Sequence, residues 1–176
     1  MKERYEVTIG IPVYRSVDYI QNTMMSALNQ SFPDIEFLIV DDCGNDGTMD
    51  VIKMFQMNHP RGKDIHILNN DTNLGVSYSR NRIIDEARGR CLYFMDSDDT
   101  IEPDTIQLLY DAIVDNQAQI AYGSYEIIDG IGISPKEVFQ KDSLVLNGVD
   151  KLVLYAFRNN QQIGRAVQQE CRDRYR

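Results

Sequence analysis

The sequence predicts an α/β fold with a mainly parallel central sheet flanked by helices. Three observations carry this. Apolar runs of strand length alternate four times with segments of helical period, the pattern of a parallel sheet covered by helices. Three of those runs end in aromatic or acidic residues, at Tyr14, Asp41-Asp42 and Asp96-Ser97-Asp98. A chain of 176 residues is most economically one domain, able to bury roughly 70% of the surface its unfolded form exposes.

Residues 5–14 read as the first strand, with Val7, Ile9, Ile11 and Val13 in alternation. Pro12 lacks a ladder donor and marks where that strand stops or kinks. Residues 18–30 form a helix with Val17, Ile20, Met24, Ala27 and Leu28 on one face and Ser16 or Asp18 as its cap. Residues 35–40 are the second strand. The acidic turn from Asp41 to Thr48 leads into a helix packed through Val51, Ile52 and Phe55 and closed by His59-Pro60. Residues 65–68 make the third strand, followed by the polar turn 69–73. Gly75 precedes a helix with Arg80, Asn81 and Arg82 in its early turns, Ile83, Ile84 and Ala87 on its packed face, and Gly89 as C-terminal cap. The fourth strand runs from Arg90 into Asp96-Ser97-Asp98-Asp99. Pro103 and Asp104 start a helix with Ile106, Leu109, Ala112 and Ile113 inward, and residues 119–128 return as a fifth strand. Beyond 128 the pattern weakens to a loop or hairpin over 130–142, a short helix over 149–157 and a polar, patternless end over 168–176.

In the common strand order 3-2-1-4, strands 2, 1 and 4 are neighbours, and ligands bind beyond the carboxyl ends where the order reverses. Tyr14, Asp41-Asp42 and Asp96-Ser97-Asp98 then share one rim. Two carboxylates about 4 Å apart repel by roughly 4 kcal/mol at an effective dielectric near 20. The acids at 96, 98 and 99 therefore either splay into solvent or hold a cation. Hard divalent ions take carboxylate oxygens together with oxygens of a bound phosphate, which makes this strand end a candidate metal and phosphate site. Each part also has a plainer reading: Asp41-Asp42 as a solvated helix start, Arg80 as a solvated helix residue, and Tyr14 as an ordinary rim aromatic.

A net charge of −9 argues against a general polyanion binder, so no nucleic acid is expected as a partner. Cys43, Cys91 and Cys171 lack metal or redox spacing, and Cys91 lies in an apolar run as a buried residue. There is no phosphate-binding glycine loop of the dinucleotide or P-loop type. His59 and His66 have no zinc spacing and read as surface or turn residues, and Ser77 and Ser79 lack a nucleophile-elbow context. With no membrane-length apolar stretch and no signal peptide, the expected location is cytoplasmic. Peripheral attachment at the inner face of the membrane, and a homodimer, are left open.

Four blocks, in order and spacing, resemble glycosyltransferase family 2: Ile11-Pro12-Val13-Tyr14; Leu38-Ile39-Val40-Asp41-Asp42 with Asp46-Gly47-Thr48; Asn73-Leu74-Gly75 with Arg80-Asn81; and Phe94-Met95-Asp96-Ser97-Asp98-Asp99. The resemblance covers most of the first hundred residues. It implies a GT-A fold, a Rossmann-like domain that binds a nucleotide-activated sugar, favouring a UDP-sugar, and transfers the sugar with inversion to a saccharide or lipid-linked acceptor of the cell envelope. Carried over residue by residue, Pro12 and Tyr14 would line the base pocket and Asp42 would accept a hydrogen bond from a uracil-like base. Arg80 would approach the nucleotide or its diphosphate, Asp96 would lie near the ribose and the metal, and Asp98 would coordinate a divalent ion, Mn or Mg.

Inverting transfer also needs a carboxylate to deprotonate the acceptor, which the family places well downstream. Asp129, Asp142, Asp150 and Glu170 lack that context, and the catalytic base is unassigned. Ile163 to Val167 resembles the start of a later family segment, but the continuation Gln168-Gln169-Glu170-Cys171-Arg172 departs from it. The expectation is therefore a nucleotide-sugar-binding region over 1–128 and the start of an acceptor-side region, cut short, over 129–176. Two other readings stand beside this one. The chain is a non-catalytic nucleotide-sugar-binding fragment, or Asp96-Ser97-Asp98-Asp99-Thr100 is the nucleophile motif of a haloacid-dehalogenase-like phosphatase, a motif that family carries on its first strand.

Overall fold

The structure is a computed structural model that describes residues 4–123 and 166–168. Strand β1 (Tyr5–Val13) is followed by helix α1 (Ile20–Leu28), β2 (Ile35–Asp41), α2 (Thr48–Asn58), a short 3-10 turn (Gly62–Asp64) and β3 (Ile65–Asn69). Then come α3 (Val76–Glu86), β4 (Gly89–Phe94), α4 (Thr105–Asp115), β5 (Ile120–Tyr122) and β6 (Ala166–Gln168). The strands form one sheet in the order β3-β2-β1-β4-β6-β5. The first four strands are parallel, and β6 runs antiparallel to both β4 and β5. The expected α/β architecture and the 3-2-1-4 order are both present.

Alternation along the strands explains the two layers. Val7, Ile9, Ile11 and Val13 of β1, Ile35, Phe37 and Ile39 of β2, and Cys91 and Tyr93 of β4 point to one face, where they pack with Ile20, Met24, Ile52 and Ile106 from the helices. The intervening Leu38 and Val40 point to the other face and meet Ile83 and Ala87. Strands buried on both faces read as near-continuous apolar runs, which is why they were legible. Gly10 lets α3 approach β1 closely: a Cβ there would lie 2.3 Å from Ile83 Cγ2.

Several details differ from the expectations. Pro12 does not end β1. The strand continues to Val13 paired with Asp41 of β2, while its pairing with β4 stops at Gly10. At the height of Pro12 the strand has one neighbour, so a missing donor is tolerated. Gly89 does not cap α3; it opens β4, where a Cβ would lie 2.4 Å from the Thr8 backbone nitrogen. Val17 lies outside the packed face of α1, 40% exposed, and Ala112 of α4 is exposed. Neither Ser16 nor Asp18 caps α1; Tyr19 stands at that position without a side-chain hydrogen bond. His66 is no turn residue, but lies half-buried within β3, its ring steeply inclined to that of Tyr5. Its pKa is lowered by burial first and then by the nearby Arg88.

The fifth strand is described only as Ile120–Tyr122. The expectations for 124–165 and 169–176, including the loop or hairpin over 130–142, the short helix over 149–157 and the acids Asp129, Asp142, Asp150 and Glu170 that lack the context of a base, lie outside the described residues. Among those described, no helix is long and apolar enough to cross a membrane.

Candidate active site

The carboxyl ends of β1, β2 and β4 lie side by side, with the start of α3 beside them. The chain leaves β1 and β2 through left-handed residues, Arg15 (φ 50°) and Cys43 (φ 62°). Such a backbone costs roughly 1–2 kcal/mol for a residue with a Cβ and turns each segment sharply away from the sheet. Tyr14 is left 42% exposed at the rim with the Arg15 guanidinium over its ring.

Asp42 is not a solvated helix start. Its residue is 3% exposed. Oδ1 accepts hydrogen bonds from Asn70 Nδ2 at 2.7 Å and the Leu74 N–H at 2.9 Å, and Oδ2 accepts one from the Gly75 N–H at 2.8 Å. Leu74 and Gly75 stand at the start of α3, where backbone donors lack intrahelical partners and a negative charge is favoured. Asp42 therefore serves α3 as a cap from 33 residues away. Burial pushes its carboxyl up, but the hydrogen bonds from Leu74, Asn70 and Gly75 outweigh this and hold it below the usual carboxylate range.

The acidic corner follows β4. Asp96 pairs with Arg80 of α3, Nη2 to Oδ1 at 2.7 Å, with both side chains partly exposed. The buried Arg80 Nε has no hydrogen-bond partner. Ser97 is tied on two sides: its hydroxyl lies 2.6 Å from that of Ser16, and its carbonyl accepts from Thr23 Oγ1 at 3.0 Å. Ser16 is thus diverted from helix capping to anchor this loop. Asp46 braces the β1 exit, accepting from the Thr48 hydroxyl and N–H and from the Val17 N–H. One carboxylate oxygen from each of Asp96, Asp98 and Asp99 lies within 4.8 Å of the others. Hard oxygen donors at that spacing suit Mg or Mn, so the residues present fit the expected ion.

A cleft of about 240 Å³ opens at this rim, lined by Pro12, Val13, Tyr14, Asp42, Asn73, Gly75, Val76, Ser79, Asp96 and Ser97. Four of the sequence-selected residues, Pro12, Tyr14, Asp42 and Asp96, line it together. Arg80 and Asp98 do not line it; Arg80 reaches its edge through Asp96, and Asp98 stands exposed within the acidic group. Sequence reasoning missed Asn70, which donates to Asp42, and Ser79, which accepts from Asn70, and did not assign Asp99. The polar turn 69–73 located Asn70, but nothing in the sequence tied it to Asp42, 28 residues away.

The model of the family described as Glycosyl transferase family 2 matches residues 8–166. A putative teichuronic acid biosynthesis glycosyltransferase, TuaG of Bacillus subtilis, is 32% identical over 69% of this chain and 47% of its own length. A poly(ribitol-phosphate) beta-glucosyltransferase of Bacillus spizizenii is 29% identical over 85% of this chain and 24% of its own. Among solved structures, Staphylococcus aureus TarS 1-349 in complex with UDP-GlcNAc is 25% identical, with a TM-score of 0.68 over 77% of this chain and 38% of that one. The chain thus spans about half or less of the length of the relatives it matches. The phosphatase alternative falls with the family match and with the acidic motif lying on the fourth strand in chain order. The chain belongs to glycosyl transferase family 2.

Proposed function

We propose that this chain forms the donor-binding part of a metal-dependent glycosyltransferase. The whole protein would move a sugar, with inversion, from a UDP-sugar to a saccharide or lipid-linked acceptor of the cell envelope. The observation that carries the reading is one cleft holding both a buried, ionised Asp42 beside Tyr14 and Asp96 of the acidic corner. Support also comes from the UDP-GlcNAc complex of TarS and from the wall-polymer activities in the relatives' names.

In this reading Tyr14 stacks on the base and Asp42 accepts its N–H. Asp96 and Asp98 would hold the ion, with Asp99 beside them. A bound divalent ion supplies electrophilic neutralisation of the diphosphate as charge builds on the leaving group. Arg80 would give its guanidinium to a phosphate in exchange for Asp96, and its Nε, which has no hydrogen-bond partner, supports a role for a further acceptor there. Among the described residues, the acids lining the cleft are Asp42 and Asp96. Both are already engaged by donors, and we assign the acceptor's base to neither.

The test is a thermal-shift panel of nucleotide-sugars with and without manganese. The cognate donor at a hundredfold excess over its Kd should stabilise the protein by about 2.7 kcal/mol and raise Tm by about 5–10 °C, only with the ion present. No shift with any nucleotide-sugar would contradict the reading. A shift confined to one donor would identify the sugar and the base together.

A further inference from the structure

Behind Asp42 lies a polar chain that the donor-site reading does not use. Arg82 of α3 donates from Nη1 to the Asn70 side-chain oxygen at 2.7 Å and to the Asn69 carbonyl at 2.7 Å. Asn70 Nδ2 donates to Asp42 Oδ1 at 2.7 Å and to Ser79 Oγ at 3.2 Å, and its backbone N–H donates to the Asp41 carbonyl at 2.8 Å. Asn70, Asp42 and Ser79 are all buried.

A guanidinium can only donate and an ionised carboxylate can only accept. The residue between them must therefore accept on one side and donate on the other, and the asparagine amide does both in one orientation. A carboxylate offers about four acceptor positions. Asn70 and Leu74 take two on Oδ1 and Gly75 takes one on Oδ2. One acceptor position is left, on a group that carries no hydrogen of its own.

We propose that Asn70, oriented by Arg82, is a positioning residue that sets nucleobase specificity, by presenting Asp42 to the cleft as a single acceptor. Such a group takes a base edge with an imide N–H, as in uracil, and rejects a ring-nitrogen lone pair in the same place, as in cytosine. The inference rests on the donor-site reading above but goes beyond it, because it locates the discrimination in residues that touch no ligand.

The experiment titrates UDP and CDP, which share ribose and diphosphate, into the protein with manganese between pH 6 and 8.5. The wild type should prefer UDP by about tenfold or more, the scale set by leaving a buried charged acceptor unpaired, with no pH dependence of the ratio. Asn70→Asp places a second carboxyl against Asp42. Two carboxylates so close share a proton, and a proton on Asp42 makes it a donor that a ring-nitrogen lone pair accepts, so the UDP preference should fall toward unity as the pH is lowered and recover as the pH is raised. A merely structural residue would not produce that pH profile. Asp41 keeps its own partner, the Gly44 N–H, and Arg82 remains the cation facing the pair.

Arg82→Met, which frees the amide, should lower the ratio without adding pH dependence, and Arg82→Lys, which keeps a donor, should retain most of it. This pair decides the matter if Asn70→Asp does not fold. Unchanged UDP/CDP ratios in folded Asn70→Asp or Arg82→Met protein would overturn the proposal, and so would a wild type that binds UDP and CDP equally. A wild type that binds neither nucleotide with the ion would instead overturn the donor-site reading, and this inference with it.

Discussion

Removing the charge of Asp42 without changing its size separates its two tasks. In Asp42→Asn, one oxygen that now accepts backbone and amide donors becomes an amide nitrogen facing them. Hydrogen bonds to charged groups contribute about 1.5–3 kcal/mol each, so the variant should lose about 2–3 kcal/mol, read as a lower urea midpoint at unchanged slope. The pH dependence has a definite sign. The folded carboxyls of Asp42 and Asp46 lie below their ordinary value of 3.8, so the folded state binds fewer protons than the unfolded one near that pH. Their stabilisation is complete above 3.8 and is lost as the pH falls through the folded values. Urea midpoints should drop below about pH 4 in the wild type, and less steeply in Asp42→Asn. Equal acid sensitivity in the two proteins would show that the buried carboxyl is not held ionised as described. The residue types of this site were legible because acids at strand ends stand out from apolar runs. Their partners were not. Asn70 contacts Asp42 through a fold-determined turn, and Arg15 and Cys43 adopt positive φ despite side chains that do not favour it.

Among the elements, the same sheet carries a structural end and the end proposed to bind the donor. Near the amino ends of the strands, fully buried Glu36 accepts from Thr8 Oγ1 at 2.6 Å, from the Arg88 N–H at 2.8 Å and from Arg88 Nε at 2.7 Å. It lies six residues before Asp42, roughly 20 Å along a strand. Glu36→Ala should cost about 3–5 kcal/mol, since it strands a partly buried guanidinium, yet leave nucleotide affinity unchanged in protein that still folds. Gly10→Ala should behave differently. Its methyl group would press on Ile83 and displace α3, losing about 1–3 kcal/mol, and α3 brings Gly75 and Arg80 to the cleft, so UDP affinity should fall too. Parallel urea melts and UDP titrations distinguish the two. Strand positions were legible because burial on both faces produces unbroken apolar runs. Helix ends were less so. Ser16 looked like a cap and is spent on Ser97; Gly89 looked like a cap and is needed for the close approach of β4 to Thr8. The strand Ala166–Gln168 has three residues and pairs with β4 more than seventy positions earlier, and local pattern cannot announce such an element.

Over the whole molecule, a net charge of −9 would have to coexist with the polyanionic diphosphate of the proposed donor. In that reading the accommodation is local. Arg80 and the three acids proposed to hold a cation stand at one corner of the rim, and the acid that would read the base is already neutralised in effect by backbone donors of α3. Nucleotide affinity should therefore depend on an ion held by that corner. Calorimetric titration of UDP into the intact chain tests it most directly, with manganese, without it, and with Asp98→Asn. UDP should bind saturably with manganese, and about tenfold or more weakly when either the ion or the exposed Asp98 carboxylate is removed. UDP binding of equal strength in all three conditions would contradict it, as would an absence of binding by UDP and GDP alike with the ion present.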